Sequence, residues 1–146
     1  MKFLIINGVN LNLTGKRETG VYGVKTLEEI NAEIGAFAKK NGDEVEFYQS
    51  NFEGALVEKL HEAFLQKTCD GILLNAGAFT HYSYALRDAI AAIDIPVVEV
   101  HMSNVHAREE FRKNSVLTEV CKGAVLGLGV GSYLAALVGL KAGLKE

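Results

Sequence analysis

The stretch Phe3-Leu-Ile-Ile-Asn7-Gly8-Val-Asn10-Leu-Asn12-Leu-Thr-Gly-Lys-Arg17-Glu-Thr-Gly-Val-Tyr22-Gly23 decides the fold. Its first four residues form a continuous apolar run that ends at Asn7-Gly8, the pattern of a strand buried on both faces. A helical pattern starts only near Thr26. About fifteen residues therefore lie between strand and helix, where such a connection ordinarily needs 2–6. Two amides, an arginine and a tyrosine stand in this loop among Gly8, Gly15, Gly20 and Gly23. Ligands of open α/β sheets bind at the carboxyl ends of the strands, so the loop is where a site is expected.

Outward from this stretch, apolar runs and helical periods alternate to the end of the chain. Residues 2–8 read as the first strand. Leu27, Ile30, Ile34, Phe37 and Ala38 recur at helical spacing behind Thr26, which with Glu29 resembles a capping box. Residues 44–49 read as a second strand and residues 53–67 as a second helix. Residues 71–75 are a third strand, residues 80–93 a helix, and residues 96–100 a fourth strand opened by a proline. Residues 124–130 are a fifth strand and residues 132–144 a closing helix. Five strands alternating with helices indicate an α/β fold with a parallel sheet covered on both faces. The expected architecture is a flavodoxin-like three-layer sandwich, sheet order 2-1-3-4-5.

The 146 residues suit a single domain, and no linker, repeat or low-complexity segment divides them. Apolar residues make up 49% and charged residues 23%, which argues against disorder. A net charge of −3 gives no general reason to bind nucleic acid or acidic membranes. No apolar run reaches the length of a membrane span, and Met1-Lys2 leads directly into a core strand, so neither a membrane span nor a signal peptide is expected. Two isolated thiols, Cys69 and Cys121, form no disulfide framework, so a reducing cytoplasm is the expected location.

A parallel sheet brings the residues past strands one, three and four to one edge: Asn10, Asn12, Arg17 and Tyr22; Asn75, Gly77 and His81; His101, Ser103 and Asn104, with Arg108 and Arg112 soon after. Convergence from three strands weighs more than any residue alone. Taken singly, the asparagines fit turns, Tyr22 a loop anchor and His81 a helix-start donor. Glu99 and His101 share one face of a strand that should be buried, which is costly without partners and favours function. Arg108 and Arg112 would share a helix face, one of them free to clamp a carboxylate. There is no Walker lysine, dinucleotide fingerprint, paired Cys-x-x-Cys, metal-binding histidine pair or Gly-x-Ser-x-Gly elbow, so no cofactor and no metal are expected. A non-catalytic binding or signalling module on this scaffold is the competing class. A receiver domain, however, would need acidic residues where asparagines stand.

Four ordered blocks resemble the type II 3-dehydroquinate dehydratase family. They are Asn10-Leu-Asn-Leu-Thr-Gly-Lys-Arg-Glu18 with Tyr22-Gly23; Gln49-Ser-Asn-Phe-Glu-Gly54; Asn75-Ala-Gly-Ala-Phe-Thr-His-Tyr-Ser83 with Arg87-Asp88-Ala89; and Glu99-Val-His-Met-Ser-Asn104 with Arg108-Glu-Glu-Phe-Arg112. Val9 and Thr19 stand where the family usually has proline, which is expected to loosen the loop. The resemblance implies one catalytic domain over residues 1–146, with a mobile active-site loop at about 9–24. It implies dehydration of 3-dehydroquinate to 3-dehydroshikimate through an enolate, without cofactor or metal. It also implies a homo-oligomer, a dodecamer built as a tetramer of trimers. The apolar closing helix is equally consistent with plain core packing.

By the same resemblance Tyr22 is the base. A phenol is mostly protonated at neutral pH, so a neighbouring cation must favour the phenolate, and Arg17 is the expected one. Asn10 would stabilise the enolate through a bound water. His101 would be the general acid, with Glu99 orienting it and favouring its protonated form. Asn75, His81, Ser103 and the Met102–Ser103 backbone would bind substrate hydroxyls, and Arg112 the carboxylate. Asp88, on an outward helix, would reach a neighbouring subunit's site.

Overall fold

Along β1 (Lys2–Asn7) side chains alternate between the two faces of the sheet, and both faces are buried. Phe3 and Ile5 pack into one core with Ile30, Ile34, Leu73, Val100 and Leu137, while Leu4 and Ile6 pack into the other with Leu56, Leu60, Leu74, Leu86 and Ile90. The computed structural model describes Met1–Glu146 throughout. After β1 come a one-turn helix α1 (Thr19–Tyr22), α2 (Leu27–Lys40), β2 (Glu44–Gln49), α3 (Glu53–Gln66), β3 (Gly71–Asn75), α4 (Tyr84–Ala92), β4 (Val97–His101), β5 (Gly123–Leu126) and α5 (Gly131–Gly143).

The five strands form one parallel sheet in the order β2-β1-β3-β4-β5, the expected flavodoxin-like arrangement. Helices α2 and α5 cover one face and α3 and α4 the other. Strands β1, β3 and β4 lie inside the sheet, which is why β1 and β3 read as unbroken apolar runs, while Glu99 and His101 interrupt β4. Helix α2 starts where its capping box places it. Thr26 Oγ1 accepts from the Glu29 N–H at 3.2 Å, and Glu29 Oε2 accepts from the Thr26 N–H at 2.8 Å. No helix is long and apolar enough to cross a membrane.

Two boundaries differ from the sequence reading. Residues 77–81 form a 3-10 turn, and α4 begins at Tyr84 because the Ser83 hydroxyl caps it, accepting from the Leu86 N–H at 3.0 Å. β5 ends at Leu126, since the glycines beyond it turn the chain towards α5. The segment between β4 and β5 carries three short 3-10 turns with no apolar period to announce them.

Candidate active site

Two loops cross closely at the centre of the sheet's carboxyl edge. The Gly8 N–H donates to the Asn75 carbonyl at 2.7 Å, and a Cβ on Gly8 would overlap the Ala76 carbonyl. Gly77 has φ +63, and a Cβ there would lie 2.7 Å from the Val9 carbonyl oxygen. Glycine at both positions lets the β1 and β3 exits form one wall of a cavity. Asn10, Arg17, Tyr22, Asn75 and His81 line it from the first and third loops. His101, Met102, Ser103, Arg108 and Arg112 line it from the β4 exit. Asn12 lies exposed in the 3-10 turn of residues 11–13, away from the cavity. Asn104 is spent on local structure, its Oδ1 accepting from the His106 N–H at 3.1 Å.

Tyr22 sits between two guanidinium groups. Arg108 Nη1 donates to the Tyr22 hydroxyl at 2.7 Å and to Ser103 Oγ at 3.2 Å. Arg17 lies over the Tyr22 ring, 4.9 Å from its centroid, and pairs with Glu18 at 3.0 Å. Arg17 was the expected neighbour. Arg108, read from sequence only as an alternative carboxylate partner, makes the direct contact across 86 positions. The expected shared helix face of Arg108 and Arg112 is not formed. Arg108 is extended, at φ −123 and ψ −156, between the 3-10 turns Val105–Ala107 and Glu110–Lys113. Both side chains nevertheless line the cavity, from backbone on either side of that break.

Across the cavity, β4 presents Val97, Glu99 and His101 on one face. Glu99 and His101 are 2% and 7% exposed, and His101 Nε2 lies 2.6 Å from Glu99 Oε1. Ser115 Oγ, 2.9 Å from Glu99 Oε1, and Thr118 Oγ1 donate to the same carboxylate. Burial alone would push the Glu99 carboxyl up. The hydrogen bonds from His101, Thr118 and Ser115 outweigh it and hold the group below the usual carboxylate range. Glu99 is therefore a buried anion that fixes the ring of His101 through Nε2 and leaves Nδ1 free to meet a ligand.

The remaining candidates are held in different ways. Asn75 Nδ2 donates to the Tyr133 hydroxyl at 2.9 Å, and Tyr133 in turn donates to Asn7 Oδ1 at 2.5 Å. Asn75 Oδ1 accepts from the Gly77 N–H at 3.2 Å, so one Nδ2 hydrogen remains for a ligand. Complete burial pushes the Tyr133 hydroxyl up, so it stays protonated and structural. His81 Nδ1 donates to the Asn114 carbonyl at 2.8 Å, and burial lowers its proton affinity below the ordinary histidine value. The Met102 carbonyl accepts from the Gly129 N–H at 3.0 Å. Arg112 uses Nε on Glu109 at 2.9 Å, which leaves both terminal nitrogens for an anion. Asp88 is 81% exposed on α4, near Arg87, and lines no part of the cavity within this chain.

The cavity thus pairs a phenol flanked by cations with an imidazole backed by a buried carboxylate, beside amide and arginine donors. This is the equipment of an α/β protein that moves protons on an anionic ligand. The family model for dehydroquinase class II matches residues 1–141. The chain is 51% identical to the 3-dehydroquinate dehydratase of Caldicellulosiruptor bescii over 140 residues, covering 96% of each. It is 50% identical to that of Thermotoga maritima over 146 residues, covering 100% of this chain and 99% of the relative. Among solved structures, the type II dehydroquinase of Butyrivibrio crossotus superposes with a TM-score of 0.94 at 48% identity, covering 97% of each chain. The chain belongs to the dehydroquinase class II family.

Proposed function

We propose that this protein is a 3-dehydroquinate dehydratase that removes water through an enolate, with Tyr22 as base and His101 as acid. The observation that carries the assignment of roles is the placement of the two groups. Tyr22 and His101 face one cavity from the β1 and β4 exits, each with its own charged partner. The guanidinium groups of Arg108 and Arg17 compensate the charge of a phenolate. That phenolate takes the proton from the carbon next to the ketone, and the electron pair moves onto the carbonyl oxygen.

Asn10 supplies a donor, through water, to the enolate oxygen. As the enolate collapses, the β-hydroxyl leaves with a proton from His101 Nδ1. The Glu99 carboxylate on Nε2 stabilises the imidazolium until that proton is given up. The proton gained by Tyr22 and that lost by His101 balance through solvent, and water is the only by-product. Asn75, His81, Ser103 and the Met102–Ser103 backbone hold hydroxyls, and Arg112 holds the carboxylate.

The reading extends to the chain as a whole. Residues 1–146 act as one catalytic domain, and the segment at 9–24 closes over bound substrate, bringing Arg17 and Tyr22 with it. Assembly into a dodecamer of four trimers would give Asp88 a role in a neighbour's cavity. The exposed side chains Tyr82, Tyr84 and Phe111 supply apolar surface for such contacts.

The test is ultraviolet absorbance of the conjugated enone when purified protein meets 3-dehydroquinate. Turnover is expected to persist in chelator and to fall about 10²–10⁴-fold in Tyr22→Phe and in His101→Ala. No rise from folded protein overturns the substrate. Wild-type turnover in either variant removes that residue from the scheme.

A further inference from the structure

We propose that Gln49 and Asn51, at the exit of β2, are positioning residues for the dehydration step and act by fixing the backbone of Asn10. The inference rests on the role given to Asn10 above. Asn10 sits at φ 66 and ψ −1, in the left-handed region. Asparagine enters that region more readily than other residues with a Cβ but still as a minority conformation, and surrounding contacts select it here. Asn51 provides one such contact: its Oδ1 accepts from the Asn10 N–H at 2.9 Å. The Leu13 N–H donates to the Asn10 carbonyl at 3.0 Å, so both peptide groups around Asn10 are pinned.

Gln49 holds the Asn51 amide in this orientation. Its Nε2 donates to Asn51 Oδ1 at 3.0 Å and to the Gly8 carbonyl at 3.2 Å. The Gly8–Asn10 turn is therefore braced from β2, a strand that supplies no residue to the cavity itself. Without the acceptor on Asn51, the Asn10 N–H turns to water. The residue then relaxes towards negative φ, and its Cα–Cβ bond swings away from the cavity. Asn51 is solvent-exposed and fills no core space, so its removal leaves packing intact. This separates positioning from fold maintenance, and it assigns a purpose to the Gln49-Ser-Asn segment that the reaction chemistry alone leaves without one.

The test compares Asn51→Ala, Asn51→Asp and Asn10→Ala, singly and as the Asn10→Ala/Asn51→Ala pair, in steady-state dehydration of 3-dehydroquinate. Asn51→Ala is expected to lower kcat about 2–12-fold, the range for losing one hydrogen bond, with KM changed by less than about twofold. Asn51→Asp keeps the acceptor and recovers most of the loss. In the Asn10→Ala background, Asn51→Ala adds nothing further. If Asn10→Ala turns over like wild type, the role of Asn10 fails. If Asn10→Ala is impaired while Asn51→Ala is not, or their losses multiply, or Asn51→Asp is as slow as Asn51→Ala, the positioning role fails and that of Asn10 stands.

Discussion

Replacing Glu99 by glutamine keeps the shape of the side chain and removes its charge, which isolates the electrostatic part of its contact with His101. The amide fits the same hydrogen bonds. Its oxygen takes the place of Oε1, accepting from the Nε2–H of His101 and from Ser115 Oγ, and its NH₂ turns to the Thr118 hydroxyl, which rotates to accept. What is lost is the charge assistance to an imidazolium in a site where Glu99 is 2% exposed. A hydrogen bond to a charged partner contributes about 1.5–3 kcal/mol, which corresponds to roughly 10–150-fold in kcat. Steady-state dehydration is the assay.

Stability gives a second, independent reading of the same variant. The Glu99 carboxyl is held below its ordinary value of 4.5 by its hydrogen-bond donors, against the opposing effect of burial. A carboxyl depressed in the folded chain releases its proton more readily there than in the unfolded chain. Its contribution is therefore fully present above about pH 4.5 and is lost as pH falls through the folded value. Urea midpoints of wild type and Glu99→Gln should differ at pH 7 and converge below pH 4.5. A kcat within threefold of wild type would refute the claim that the Glu99 charge supports the acid.

Arg108→Met removes the donor to the Tyr22 hydroxyl and should lower kcat about 10–150-fold, with Arg108→Lys recovering little because a point charge does not reproduce the guanidinium fork. An Arg108→Met enzyme with wild-type kcat would show that Arg17 alone suffices. Arg112→Ala should raise KM by one to two orders of magnitude with kcat changed much less, as expected for a group that binds the carboxylate in ground and transition states alike. An unchanged KM would shift carboxylate binding to another cation. Tyr133→Phe strands Asn7 Oδ1 and one bond of Asn75 Nδ2 in the core, and the urea midpoint should register a loss of about 1–3 kcal/mol. A neutral result would mean that a water takes the place of the hydroxyl.

The architecture was legible because β1, β3 and β4 are buried on both faces and stand out between helical periods, β1 and β3 as apolar runs and β4 as valines interrupted by Glu99 and His101. Local rules also carried through where the partners are close in sequence, as for Thr26 and Glu29 at the start of α2. The start of α4 could have been read from Ser83, a standard capping residue four positions after Phe79. The candidate site was legible as a set of strand exits, but its pairings were not. The Arg108–Tyr22 and Tyr133–Asn75 contacts span 86 and 58 positions, and no local pattern specifies them. Arg108 and Arg112 four residues apart suggest one helix face, yet the stretch between β4 and β5 folds as short 3-10 turns held by side chains such as Asn104 and Ser115. Thr19, expected to loosen the loop, occupies the first position of α1, where a proline would also fit its own φ. The left-handed Glu18 before it is a conformation that a following proline disfavours.

The division of labour between Tyr22 and His101 is tested most directly by hydrogen exchange at the carbon next to the ketone. 3-Dehydroquinate is incubated in D₂O with wild type, Tyr22→Phe or His101→Ala, and deuterium in recovered substrate is read by mass spectrometry alongside product formation. The expected result is that His101→Ala exchanges the proton while releasing almost no product, since it still forms the enolate but cannot expel the hydroxyl, whereas Tyr22→Phe does neither. Exchange by Tyr22→Phe at the rate shown by His101→Ala would contradict the assignment of the base.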